Sequence, residues 1–278
     1  MPHEITMTAG TVITVEPNSY GGRLKYFSRA ADDTFWDDLW LHEEAEIDYA
    51  RYQAGHLPRF LKRTFIRYVQ PGARVLEAGC GLGWFTVAAN ALGFKAEGVD
   101  YAPQVIAMLQ ARFPSINFFR GDVRKLSNIP DNTYDAIYSP GVCEHFEEGP
   151  EDVLREAYRL VKDGGIVLVS TPCFNAFRRF LHRLGAFQHA PEGEFYQYAF
   201  SQQEMTAILE GIGFEVLECH YRATLFTLRE HIPFIARLPL GRLEKPIAVA
   251  LDTIPGINRW GQACMWVARK PLRGDAAT

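Results

Sequence analysis

The feature that most constrains this chain is residues 75–84, VLEAGCGLGW, where a short apolar run ends in an acid, three glycines follow on alternate positions, and a new apolar-periodic segment begins. That order reads as a strand running into a glycine turn that opens a helix. Glycine has no side chain to hold the backbone off a ligand and it tolerates positive φ, so such a turn lets the main chain lie against a bound nucleotide. Further apolar runs at residues 94–99, 116–119, 134–139, 166–170, 214–219 and 263–267 read as strands, as does 74–77 itself. Helical spacing at 56–68, 84–92, 103–113, 151–161 and 201–209 alternates with them. Residues 166–170, IVLVS, are apolar throughout, as a strand covered on both faces requires. Pro103 stands where a helix start loses nothing from its missing N–H, and residues 201–204, SQQE, form a capping box. The alternation implies an α/β fold: an open, mostly parallel sheet covered by helices on both faces.

The 278 residues suit this architecture, and a chain of that size buries about 75% of its unfolded surface without a disulfide or metal staple. A net charge of −4 argues against the broad basic surface of a nucleic-acid binder, so no nucleic-acid partner is expected. Five scattered cysteines without a CxxC pair read as free thiols of a reducing compartment, and no spacing of His, Cys, Asp and Glu points to a metal site. The first ten residues lack the basic and apolar regions of a signal peptide, and no run of about 18 apolar residues exists, so a cytoplasmic location is expected.

Residues 1–60 read as an N-terminal extension and lid, of which 1–20 are aperiodic and expected to fray and 27–52 are dense in aromatic and acidic side chains. Residues 61–272 are the core and 273–278 a tail. Within the core, 173–200 and 223–261 are too long for ordinary connections and read as two cap insertions.

Three motifs carry the ligand chemistry. Glu77-x-Gly79-x-Gly81-x-Gly83 departs from the dinucleotide fingerprint, because position 84 is Trp84 and an indole there crowds a pyrophosphate. Asp100, at the tip of the next strand, suits a pair of ribose hydroxyls; its competing reading is the cap of the 103–113 helix. Asp122-Val123, after the third strand, suits an adenine amino group and ring face, against the alternative of a turn aspartate.

These motifs, with Gly141-Val-Cys-Glu-His-Phe146, Leu160-Val-Lys-Asp-Gly-Gly165 and Gly211-Ile-Gly-Phe214, stand in the order and spacing of class I S-adenosylmethionine-dependent methyltransferases. The chain resembles that family, and most of all the branch that includes ubiquinone-biosynthesis enzymes (methyltransferase type 11), over residues 60–172 and 201–220, with weaker support near Trp266. Lys162-Asp163-Gly-Gly departs by one residue from the family's usual Lys-Pro-Gly-Gly. The resemblance implies a Rossmann-like sheet of seven strands, the last antiparallel, and S-adenosyl-L-methionine as cofactor, with S-adenosyl-L-homocysteine as product. It places Glu77, Ala78, Gly79, Cys80 and Gly81 along the methionine part, Asp100 on the ribose, Tyr101, Asp122 and Val123 around the adenine, and Ser139, Pro140 and Gly141 beside the sulfonium.

A sulfonium is a built-in leaving group, so catalysis rests on holding nucleophile, methyl and sulfur in line and on excluding water. A base is needed only where the acceptor carries a proton. Glu144 and His145, after the fourth strand, are the candidate bases; the competing reading of His145 is a ring bonded only to backbone. His42, His56, His182 and His189 read as surface residues. Trp36, Trp40, Tyr196 and Tyr198 are expected to line the acceptor pocket, against the alternative of a lid packed on the core. Residues 177–184 and 229–245 interleave Arg and Lys with apolar side chains, which reads either as peripheral contact with a membrane-borne substrate or as arginines snorkelling over a buried face. The expected activity is methyl transfer to a small-molecule, lipid or sugar-type acceptor. An NAD(P)-linked enzyme and a non-catalytic nucleotide-binding module are the rivals. The acceptor atom (O, N, C or S) and the oligomeric state are left open.

Overall fold

A β-branched run near the start of the chain makes β1 (Val12–Glu16), and alternating polar and apolar residues make β2 (Arg23–Ser28), its antiparallel partner. A computed structural model describes residues 11–188, 190 and 192–272, the side chain of Glu46 excepted. His189 and residues 1–10 and 273–278 lie outside the described residues. Helix α1 (Asp33–Glu43) starts at Asp32, whose carboxylate accepts from the Phe35 N–H at 2.8 Å. A short α2 (Tyr49–Gln53) and α3 (Arg59–Tyr68) follow. The last of these begins three residues later than its spacing predicts, because Pro58 holds an extended ψ of 131°.

From here strands and helices alternate: β3 (Arg74–Ala78), α4 (Trp84–Ala91), β4 (Lys95–Asp100), α5 (Pro103–Arg112), β5 (Phe118–Arg120), β6 (Tyr134–Pro140), α6 (Glu151–Leu160) and β7 (Val161–Pro172). The first insertion contributes α7 (Ala176–Arg183) and β8 (Glu194–Ala199). Then come α8 (Gln202–Ile212), β9 (Glu215–Arg222), the second insertion with α9 (Thr224–His231), α10 (Pro233–Ala236) and α11 (Glu244–Thr253), and finally β10 (Ala263–Arg269).

The seven-stranded sheet has the order β5-β4-β3-β6-β7-β10-β9. Its pairs are parallel except those of β10, which runs antiparallel to both neighbours. Both faces are covered, as successive strand residues show. Leu76, Ile137, Val167 and Val169 join Leu154, Leu160 and Leu209 in one cluster; Val75, Ala136, Ile166 and Leu168 join Leu61, Phe65 and Phe85 in the other. After β3 the chain moves outward to β5 and then returns to β6 on the other side. That reversal opens a crevice at the carboxyl ends of β3, β4 and β6, where open α/β sheets bind ligands.

A second sheet, β1-β2-β8, was not foreseen from the sequence. It corrects the expectation that residues up to 20 fray: Val12–Glu16 is a paired strand. Leu24 and Tyr26 of β2 and Tyr196 of β8 form its own small core with Phe174, and this sheet leads directly into α1 beside the crevice.

Candidate active-site cleft

A cleft of about 450 Å³ occupies the strand-order reversal. One wall is the turn after β3. The N–H groups of Gly79 and Cys80 both donate to the Val99 carbonyl, at 2.8 and 2.9 Å, which folds the turn back onto β4. Gly79 has φ +76°, and a Cβ there would collide with the Val142 side chain, so any other residue would be strained and would displace that side chain. Over Gly81 lies the Trp40 indole, 3.0 Å from where a Cβ would be. Val142 and Trp40 thus close over the two glycines, and the turn lines the cleft beside them.

Acids surround it. The Glu77 carboxylate accepts from the Thr86 N–H at 2.9 Å and hydroxyl at 2.6 Å. It is fully buried, and burial pushes its carboxyl up to about 8 against those two hydrogen bonds. Asp100 accepts from the Gly81 N–H at 2.8 Å and the Ala102 N–H at 3.1 Å, one on each oxygen, with the Tyr101 N–H also acting on the carboxylate. Burial raises its carboxyl, opposed by those backbone donors. The competing capping role falls to another residue: Asp37 of α1, itself buried, accepts from the N–H groups of Gln104 and Val105 at 3.0 and 3.1 Å. Asp37 thereby ties the lid to the start of α5 and frees Asp100 to face the cleft. Nothing in the sequence distinguishes it from Asp38 beside it.

Tyr101 donates its hydroxyl to the Ala31 carbonyl at 2.6 Å and lines the cleft, with Gly121, Asp122 and Val123. The Asp122 carboxylate is engaged by Arg124, at 2.8 Å from Nη2, and this pair holds its carboxyl below the ordinary range. Pro140, Gly141 and Cys80 also line the cleft, whereas the side chains of Ala78 and Ser139 border a separate small internal space with Leu76 and Ile137.

The opposite side is assembled from distant segments: Trp36 and Trp40 of α1, Thr171 and Pro172 at the end of β7, Gln197 of β8, Phe226 of α9, and Gln262 with Ala263. Trp36 and Trp40 stack at 5.7 Å; both line the cleft and both pack the lid on the core. The expectation for Tyr196 and Tyr198 needs correction, since neither side chain lines the cleft. Tyr196 packs behind His145, and Tyr198 turns to Phe195 and Phe200 while its hydroxyl donates to the Glu147 carbonyl at 3.0 Å. A register shift where β2 pairs β8 presents Gln197 to the cleft in their place.

Glu144 and His145 both reach the cleft, in a single helical turn after β6. His145 Nδ1 lies 2.9 Å from the Tyr196 carbonyl, which fixes the proton on that nitrogen, and burial drives the ring down to about 4. The ring is neutral. Glu144 is 2% exposed, and its Oε2 has no hydrogen-bond partner among the described residues. Burial pushes its carboxyl up to about 8, against the backbone N–H groups of Glu144 and Val142. A buried carboxyl oxygen without a partner is costly to keep, by roughly 1–3 kcal/mol, and such groups gather at functional sites.

Comparison with known proteins accords with this geometry. A methyltransferase-domain family model matches residues 49–219. An S-adenosylmethionine-dependent methyltransferase of Mycolicibacterium smegmatis is 32% identical over 145 residues, 52% of this chain and 53% of that protein. A ubiquinone biosynthesis O-methyltransferase of Xanthomonas campestris is 31% identical over 111 residues, 38% of this chain and 45% of that one. The chain thus spans about half the length of the curated relatives it matches. Among solved structures, a SAM-dependent methyltransferase from Archaeoglobus fulgidus superposes with a TM-score of 0.53 at 20% identity, covering 84% of this chain and 99% of that one, which shows a shared fold.

Proposed function

Because the chain belongs to the methyltransferase-domain family, whose relatives take S-adenosylmethionine as cofactor, we propose that its cleft transfers a methyl group in line to a neutral, largely apolar small-molecule or lipid acceptor bearing an O–H or N–H. The residues fit the cofactor. Gly79, Cys80 and Gly81 line the cleft as a backbone turn, Asp100 has acceptor capacity left for a hydroxyl, and Tyr101 and Val123 offer faces to a nucleobase. Bound there, S-adenosylmethionine supplies a methyl group on a positively charged sulfur. Trp36 and Trp40 of the lid keep water from the turn.

Glu144 carries the reading. Arg124 is the only cationic side chain lining the cleft among the described residues, and Asp122 neutralises it. His145 is uncharged. A carboxylate or phosphate at the reacting end would therefore enter a site that holds acids and no free cation, whereas a neutral O–H or N–H would meet a carboxyl with one oxygen still unpartnered. As oxygen or nitrogen bonds to the methyl carbon, the acceptor proton passes to the Glu144 carboxylate, giving the neutral acid that burial favours. A base whose conjugate acid titrates near 8 holds that proton at neutral pH; one near 4, as for His145, does not. His145 instead positions Trp36, ring to ring at 4.8 Å.

The test is transfer of labelled methyl from S-adenosylmethionine into matched phenols, amines and carboxylic acids. Label is expected in a phenol or amine and absent from the acids, with kcat rising as pH passes about 8, where Glu144 loses its proton. Glu144→Gln lowers kcat by roughly 10²–10⁴-fold, removes the rise with pH, and leaves S-adenosylhomocysteine affinity unchanged. Methylation of the acids, or an unaltered pH profile in the variant, would contradict the assignment.

A further inference from the structure

The cap formed by α7 and the second insertion is unlike the rest of the surface. Helix α11 carries Pro246-Ile-Ala-Val-Ala-Leu251, yet none of its residues is buried, and none in α10 is either. Phe234, Leu243, Val249 and Ile254 are 74%, 64%, 57% and 43% exposed. Helix α7 packs on the same cap, Phe177 against Trp260 at 5.2 Å, and exposes Phe180 and Leu184. These are six of the ten large apolar side chains exposed among the described residues, drawn into one region. Gathered apolar exposure marks an interaction surface, and α11 buries its Asp252 side chain against the protein while leaving Val249 more than half exposed and uncovered.

Charge identifies the layer. Each acid of the second insertion is bound within the protein: Glu230 to Arg178, Asp252 to Arg222 and the Thr224 N–H, Glu244 to Arg229. The exposed Arg183, Arg237, Arg242, Lys245 and Arg259 have no carboxylate partner among the described residues. Apolar side chains set among unmatched cations are the composition of a surface that lies in the headgroup layer of an anionic bilayer. A second copy of this chain on the same face would oppose cation to cation across a two-fold axis. Of the cations that the sequence places here, Arg229 is paired with Glu244, and Arg178 is fully buried against Glu230 and His231.

We propose that α7 and residues 233–254 dock this protein on an anionic lipid surface. The attachment is peripheral, since no described helix is long and apolar enough to cross a membrane. The cap is also a wall of the cleft, through Phe226 and its neighbour Gln262. Docking therefore sets the acceptor side beside the bilayer, a consequence that rests on the function proposed above, while the docking itself does not.

Co-sedimentation of the full chain with phosphatidylcholine vesicles, with and without phosphatidylglycerol, tests it. Pelleting is expected with phosphatidylglycerol and is at least roughly tenfold weaker with phosphatidylcholine alone or at high salt. Phe234→Asp with Leu243→Asp, and separately Arg242→Glu with Lys245→Glu, each reduce binding roughly tenfold while S-adenosylhomocysteine affinity and circular dichroism stay unchanged. No pelleting on the anionic vesicles, pelleting indifferent to lipid charge and salt, or a vesicle-free dimer in light scattering that the Phe234 and Leu243 changes disperse while vesicles are ignored, would each overturn the proposal.

Discussion

On the side of the cleft proposed to hold the donor, most lining residues sit at the carboxyl end of a strand or in the turn that follows it: Glu77, Gly79, Cys80 and Gly81 at β3, Asp100 and Tyr101 at β4, Gly121, Asp122 and Val123 after β5, Pro140 and Gly141 at β6. On the side proposed for the acceptor, Trp36, Gln197, Phe226 and Gln262 arrive from the lid, the second sheet and the cap. The first wall is four copies of one local event, a parallel strand ending in a turn, registered by a single sheet. The second exists only because separate insertions meet. A wall of the first kind is stiff and has little room for substitution; a wall of the second kind can be changed piece by piece. Specificity in such a fold therefore resides in the insertions, and cofactor binding in the sheet.

That contrast can be broken at either wall. The largest effect is expected at Gly79. In Gly79→Val a side chain would meet Val142 from a φ of +76°, and S-adenosylhomocysteine affinity should fall by at least about 100-fold in calorimetry, with the circular dichroism spectrum retained. Retained affinity would mean that the turn is not the cofactor wall. A smaller effect belongs to Trp36→Ala, which removes part of the acceptor side without touching the strand tips. The acceptor KM should rise roughly tenfold while the S-adenosylmethionine KM moves less than about twofold. Equal movement of both constants would show the two walls to be one energetic unit.

The same division explains what the sequence discloses. The glycine turn, Asp100 and the seven core strands are readable because strand, turn and helix are neighbours in the chain, so residue type and spacing carry the information. The β1-β2-β8 sheet is not, because β8 pairs with a strand from the far end of the chain and each strand is short. Asp37 is invisible for a similar reason: its role exists only where α1 meets α5. Aromatic density pointed to the right segment at 195–200 but to the wrong face of it. A single register shift decides which side chain of β8 meets the cleft, and it selects Gln197. Glu144 was singled out by its place after the fourth strand, but its importance comes from burial without a partner, which spacing does not reveal.

Calorimetric titration of the wild-type chain with S-adenosylhomocysteine, and in parallel with NAD, tests the account most directly. One saturable site for the thioether nucleoside, and no heat from the dinucleotide, is the predicted result. Saturable binding of NAD, or a cleft indifferent to S-adenosylhomocysteine, would contradict it.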